Sequence, residues 1–147
     1  MLRPPRTRPV FVPAQPPPAG PPPSPEILAA LGEAGVVRML EDFYLLLEDS
    51  PLRPLFPEDM QAAAHRSAAF FVQILGGPPR YSERHGPPRM RQRHLPFEID
   101  PAARAQWLET FERVLARAEE RYGFPPEHLP AFRAFLASFS AWMVNAE

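Results

Sequence analysis

The stretch GGPPRYSERHGPPRMRQRHLPFEI, residues 76–99, decides the fold of this 147-residue chain. Its last part, RMRQRHLPFEI (89–99), places His94 after three alternating arginines and directly before Leu-Pro-Phe. Histidine is a common metal ligand and acid–base group. A histidine in a polar loop is more often a solvated side chain, so the rest of the chain must decide between the two readings.

Length and composition exclude several classes of protein. The chain is long enough for one domain with a core, and its net charge of −1 gives no signal for nucleic acid or an acidic membrane. The absence of cysteine rules out disulfides, Cys-ligated zinc, iron–sulfur clusters and a thiolate nucleophile. No apolar run approaches the roughly 18–20 residues of a membrane span, and the N-terminus lacks the apolar core of a signal peptide. We expect a soluble cytoplasmic protein.

The first 24 residues differ sharply from the rest. They contain ten prolines and few residues that could pack. Because proline lacks an amide donor and resists helix and sheet, we predict a disordered Pro-rich tail over residues 1–24. A Pro-rich docking peptide is the functional alternative for this segment.

The remainder, residues 25–147, is predicted to be one all-α domain. Apolar residues recur every three to four positions, which is typical of amphipathic helices, and no segment alternates as a strand would. Helices are expected over residues 24–32, 35–48, 58–75, 101–122 and 129–145. A tight corner is expected near 51–56, a loop over 78–88, and a short helix containing His94 between Pro88 and Pro96.

Most familiar catalytic arrangements are missing. Ser67 has no Ser–His–acid partners, and His65 points about 200° away from the stripe that holds Ala63 and Ser67. No histidine pair has the helical spacing of a metal site, and no glycine-rich phosphate loop follows a strand. The arginine-rich segment 80–93 has only one aromatic residue, Tyr81, so a solvated surface is favoured over RNA binding.

One arrangement would use the remaining features together. The many aromatic residues would ordinarily form only a core. In a small all-α protein they could also enclose a haem, with a neutral imidazole as the axial ligand of the iron. Arginine side chains near His94 could pair with the haem propionates. Many helical proteins would satisfy these general requirements.

A resemblance makes the hypothesis specific. Residues 76–107 resemble the signature segment of the group II truncated haemoglobins. They share Gly-Gly-Pro, a tyrosine in the next loop, Arg-x-Arg-His-x-Pro-Phe, and a tryptophan thirteen residues after the histidine, here Trp107. The upstream FYLLLEDSPLRPLFPED (43–59) is similar to the family's second helix and corner. The resemblance covers about residues 35–145 and leaves out the tail.

The resemblance implies a two-over-two globin fold that binds haem b, with His94 as the proximal ligand of the iron. It further implies reversible binding of dioxygen, and of CO and NO. The positions that match the family's distal side are Tyr44, Trp107, Ser67, Ala63 and Phe56. The positions that match haem contacts are Phe70, Phe71, Arg66, Tyr81 and Arg91 or Arg93.

Two departures from the family leave alternatives open. The segment between Tyr44 and Phe56 is one residue shorter than in common members, so either Phe43 or Tyr44 could occupy the distal position. We prefer Tyr44, because the Phe-Tyr pair itself matches the family. Phe56 stands where many relatives carry a tyrosine or histidine, which removes one hydrogen-bond donor.

The functional alternatives are of two kinds. The same haem site could turn over nitric oxide or peroxide with a reductase partner. A more remote alternative is a non-haem helical interaction domain with a Pro-rich docking tail. The expected protein is a monomer or a small homo-oligomer that binds neither nucleic acid nor membrane.

Overall fold

The computed structural model describes residues 22–147, and nearly all of the predicted Pro-rich tail lies outside these residues. Within this part of the chain there are only helices and connections, which confirms the all-α prediction. The α-helices are α1 (Pro25–Glu48), α2 (Met60–Ile74), α3 (Arg80–His85), α4 (Met90–His94), α5 (Pro101–Leu115), α6 (Ala118–Tyr122) and α7 (Leu129–Met143). Short 3-10 turns cover Arg53–Leu55 and Pro126–His128.

Helix α1 combines the two segments predicted at the start of the domain. The Ser24 side chain accepts a hydrogen bond from the amide of Glu26, which caps the helix as its sequence predicts. At Gly32 the backbone leaves the helical region, with φ 70° and ψ 166°. This conformation is open essentially to glycine alone, so the first helical segment ends at Gly32, as predicted, and the second continues beyond the kink.

Two predicted boundaries were wrong. The expected loop over 78–88 contains α3, whose residue Ser82 exchanges two hydrogen bonds with the side chain of Gln73. This tertiary contact orders a segment whose proline and glycine content favours a loop. The expected helix over 101–122 breaks after Leu115 into α5 and α6, and the break turns Tyr122 toward Asp42 of α1.

The helices pack as two pairs, α1 with α2 and α5 with α7. Aromatic rings join the pairs. Phe43 of α1 lies 4.3 Å from Phe111 of α5, and Phe71 of α2 contacts Phe111 and Phe132. Burial of these rings supplies much of the driving force for folding. The two-over-two architecture that the resemblance implies is confirmed.

In the part of the chain that is described, none of the helices combines the length and the apolar character needed to cross a bilayer.

Candidate functional site

His94 closes the five-residue helix α4, and its ring is oriented by its own helix. The Nδ1 atom lies 2.5 Å from the carbonyl oxygen of Met90. Because a carbonyl can only accept, Nδ1 carries the proton and Nε2 carries the lone pair. Burial lowers the pKa of His94, and the hydrogen bond to Met90 only partly offsets that effect. The ring is therefore neutral near pH 7, with the lone pair on Nε2 that a metal requires.

Tyr44, Ser67 and Phe56 lie together on one side of the domain. Burial raises the pKa of Tyr44, while a hydrogen bond with the Ser67 side chain and the charge of Arg66 act in the opposite direction. The Tyr44 and Phe56 rings meet edge to face at 5.5 Å. This side of the domain therefore holds a neutral phenol beside a serine hydroxyl.

Trp107 lies on α5 and packs against aromatic rings of α1 and α5. Its ring is 5.6 Å from Phe43 and 5.5 Å from Phe111, and it keeps partial exposure to solvent. Phe43, by contrast, is only 1% exposed and packs into the core. Of the consecutive pair Phe43 and Tyr44, only Tyr44 remains partly accessible beside Ser67.

The two phenylalanines of the expected haem-packing pair have different surroundings. Phe70 contacts Tyr81 at 6.0 Å and Phe139 at 5.5 Å, between α3 and α7. Phe71 is 2% exposed and sits deeper. Its ring neighbours besides Phe70 are Phe111, Phe132 and Phe135. Phe70 therefore packs between α3 and α7, and Phe71 packs between α5 and α7.

The three candidate arginines are placed differently from one another. Arg66 is exposed and acts on Tyr44 through its charge. Arg91 donates to the carbonyl oxygens of Trp142 and Val144, at 2.6 and 2.9 Å. Arg93 donates to the carbonyl oxygens of residues 85, 87 and 88, and its guanidinium lies 5.3 Å from the Tyr81 ring. Arg91 and Arg93 thus make hydrogen bonds that fix backbone.

The two remaining predictions concern α2. Ala63 is 5% exposed and lies one turn before Ser67. His65 is exposed and its Nε2 lies 3.2 Å from Glu41 Oε2, away from Ser67. We therefore expect no role for His65 in the site, in line with its helical angle.

Sequence reasoning missed several residues around the site. Phe139 of α7 contacts Phe70 of α2 and, at 6.5 Å, also Trp107 of α5, so it connects these two aromatic residues. In the sequence, Phe139 is one of the regularly spaced apolar residues of the helix predicted over 129–145, and that spacing indicates only a place in the core. Leu95 and Phe97, quoted within the motif but given no role, are 36% and 44% exposed. Asn145 is 2% exposed and bonds the segment around His94; no sequence pattern marked it.

Comparison with known proteins gives a consistent assignment. The family described as Bacterial-like globin matches residues 28–141. A curated relative, Group 2 truncated hemoglobin YjbI of Bacillus subtilis, is 41% identical over 80 residues, covering 54% of this chain and 61% of that protein. Two-on-two hemoglobin-3 of Arabidopsis thaliana is 33% identical over 89 residues, covering 58% and 51%. The chain thus spans between half and two thirds of these relatives' lengths.

Solved structures match over more of their length. The truncated oxygen-avid haemoglobin from Bacillus subtilis superposes with a TM-score of 0.72 at 34% identity, covering 80% of this chain and 98% of that one. The haemoglobin of Chloroflexus aurantiacus gives a TM-score of 0.74 at 36% identity, covering 81% and 97%. The chain therefore belongs to the bacterial-like globins and, within them, to the group II truncated haemoglobins, a family of haem proteins that bind diatomic gases.

Proposed function

We propose that this protein binds haem b through His94 and reversibly binds dioxygen, and also CO and NO, on the side of Tyr44 and Trp107. The observation that carries the proposal is the hydrogen bond from His94 Nδ1 to the Met90 carbonyl. It leaves Nε2 as the ligand atom and fixes the ring's rotation. Axial histidines in metal sites are commonly oriented by such a bond.

The surroundings of His94 fit a flat, apolar prosthetic group. Leu95 and Phe97 follow it and are 36% and 44% exposed, although both are large apolar residues. Phe139 and Trp107 are also only partly buried against the core. A bound porphyrin would cover the apolar surface that these side chains leave accessible.

Haem, when bound, supplies an iron atom with a coordination position for a diatomic gas. The protein's part is to hold the group, exclude water and offer donors. Phe70, Phe139 and Phe97 would contact the ring. Tyr44 and the indole N–H of Trp107 would donate hydrogen bonds to dioxygen, which takes on partial negative charge when it binds.

Arg66 is the best placed of the candidate arginines for the propionates. It is exposed, whereas the guanidinium groups of Arg91 and Arg93 bond main-chain carbonyls. Arginine pairs with carboxylates through two parallel bonds when its guanidinium is accessible.

Nitric oxide dioxygenation or peroxide turnover with a reductase is a second candidate. It would use the same side of the domain, where the charge of Arg66 acts on the Tyr44 phenol. A cation beside a phenol stabilises negative charge that develops on oxygen during such reactions. NADPH-driven turnover with a reductase, above that of free haem, would support this activity; a rate equal to free haem would oppose it.

The test of the main proposal is the absorption spectrum of the haem-reconstituted protein in three states. The ferric, dithionite-reduced and CO-treated forms are recorded at increasing ratios of haem to protein. We expect a sharp Soret band that saturates at one haem per chain and shifts with CO. A band that never saturates, or one that CO leaves unmoved, would refute the proposal.

A further inference from the structure

Asn145, just after the last helix, is a buried polar residue that makes four hydrogen bonds to the segment 94–99. Its Nδ2 donates to the carbonyl oxygens of His94, at 3.1 Å, and Phe97, at 2.8 Å. Its Oδ1 accepts from the amide of Ile99 at 2.9 Å, and its own amide donates to the Ile99 carbonyl at 2.9 Å. A buried carboxamide that lost these partners would be costly, so the contact defines one geometry for residues 94–99.

Arg91 makes the complementary contact from the other side of His94. Its Nη1 donates to the carbonyl oxygens of Trp142 and Val144, and its guanidinium lies 4.8 Å from the centre of the Trp142 ring. These carbonyls belong to the C-terminal end of α7, where the helix itself supplies no partners. A cation also interacts favourably with that end of a helix dipole.

His94 lies between these two contacts in a segment with little other support. Helix α4 has five residues, and it begins after Arg89, which adopts a left-handed φ of 39°. None of the α4 residues is fully buried. So short a helix is not stable by its own hydrogen bonds. The end of α7 and the residues after it therefore hold the backbone that carries His94.

We propose that Asn145 and Arg91 are positioning residues that fix His94 toward the haem iron from the C-terminal end of the chain. The inference rests on the proposed role of His94 as the axial ligand. The Met90 carbonyl sets the rotation of the imidazole ring, while Asn145 holds the His94 carbonyl and Arg91 anchors α4 three residues earlier. The direction of Nε2 is thus determined by bonds on both sides of the residue.

The test compares Asn145→Ala and Asn145→Asp with a matched control, Ser140→Ala. Ser140 is 5% exposed on α7, five residues before Asn145, and its hydroxyl bonds Ala137 and Arg104. Asn145→Asp keeps an acceptor for the Ile99 amide and removes both donors that face the His94 and Phe97 carbonyls. Each variant is measured as holoprotein, by haem loss to an excess of a haem-binding acceptor and by the iron–histidine stretching band of the ferrous form.

A second measurement uses the same proteins before haem is added. Hydrogen exchange of the Ile99 amide and the ¹⁵N shifts of the His94 ring report the segment without any contribution from haem. These readouts separate the two ideas. If the wild type binds no haem, the proposed function fails. Unchanged exchange of the Ile99 amide and unchanged His94 ring shifts in the Asn145 variants would, independently of haem, reject the positioning role of Asn145.

We expect both Asn145 variants to lose haem at least about tenfold faster than the wild type, as removal of groups that orient a metal ligand usually does. Their iron–histidine band should shift or broaden, whereas Ser140→Ala should match the wild type. Ile99 exchange should rise in Asn145→Ala more than in Asn145→Asp. Wild-type haem loss and an unchanged band in both variants would overturn the positioning role, even if Ile99 exchange increased.

Discussion

Phe43 and Tyr44 are neighbours in sequence, yet their rings stand 5.7 Å apart at 88° and serve different parts of the molecule. Phe43 packs on Phe111 in the core, whereas Tyr44 lies beside Ser67 and Phe56. Successive residues on a helix point about 100° apart, so only one of them can face the site. The position of the two rings supports Tyr44 as the distal donor, and this assignment leads to the first prediction.

Tyr44→Phe should speed dioxygen release. The change removes one hydroxyl and keeps the ring on Phe56, so the loss of one hydrogen bond of about 1–3 kcal/mol corresponds to roughly 5- to 150-fold. Stopped-flow measurement of the dissociation rate tests this. Tyr122→Phe removes a phenol that bonds Asp42 instead and should leave the rate nearly unchanged; equal effects of the two variants would refute the assignment.

Trp107→Phe should also speed dioxygen release, because the variant lacks the indole N–H. The ring packing on Phe43 and Phe111 can largely persist, since phenylalanine is still aromatic. The same rate measurement applies. An unchanged rate in Trp107→Phe would remove this residue from the distal side.

Gly32→Ala should destabilise the fold by about 1–3 kcal/mol, because alanine rarely adopts φ 70° with ψ 166°. Apart from its chain neighbours and the backbone of its own helix, no atom lies within 4 Å of where the added Cβ would be, so the effect reports backbone strain and not a clash. Urea unfolding measures the change. Gly123→Asn is the control, since asparagine tolerates the left-handed helical conformation seen there, with φ 71° and ψ 29°. A Gly32→Ala variant as stable as wild type would contradict the kink.

The free energy of unfolding should fall as the pH rises from about 10 to about 12. Burial and the hydrogen bond to Asp42 raise the pKa of Tyr122 to about 12, from 10.0. In this interval the unfolded chain ionises the phenol and the folded chain does not, so alkali favours unfolding. The contribution of Tyr122 to the free energy of unfolding is complete below about pH 10 and is lost as the pH approaches 12.

Tyr122→Phe tests this alkaline dependence. The variant should lose some stability at neutral pH with the Asp42 bond, and its stability should change less steeply between pH 10 and 12. Urea unfolding at a series of pH values provides the measurement. A pH dependence identical to that of the wild type would show that Tyr122 is not the group responsible.

Much of the fold could be predicted because periodicity and caps act locally. The starts of α1 and α5 follow from Ser24-Pro25 and Asp100-Pro101, where a side-chain oxygen accepts an amide hydrogen bond. The wrong boundaries depend on distant partners. Helix α3 is ordered by Gln73, and the break before α6 lets Tyr122 reach Asp42, 80 residues earlier. Local propensity contains no trace of such contacts.

In the candidate site too, some residues could be identified from a local motif, whereas others depend on distant partners. The motif around His94 and Trp107 is continuous enough to identify from sequence, and His65, which its helical angle turns away from Ser67, is paired with Glu41. The roles of Phe139 and Asn145 depend on how the end of the chain returns to α4 and α5. Neither residue differs from an ordinary core or terminal residue until its partners are known.

The central claim is that His94 is the iron ligand, and the most direct measurement is the ferrous spectrum of His94→Ala with and without added imidazole. His85→Ala serves as the control, because His85 lies nearby on α3, exposed and 5.0 Å from the Tyr81 ring. We predict that His94→Ala loses the five-coordinate deoxy spectrum and the iron–histidine band, that imidazole restores both, and that His85→Ala resembles the wild type. A normal deoxy spectrum in His94→Ala without imidazole would contradict the claim.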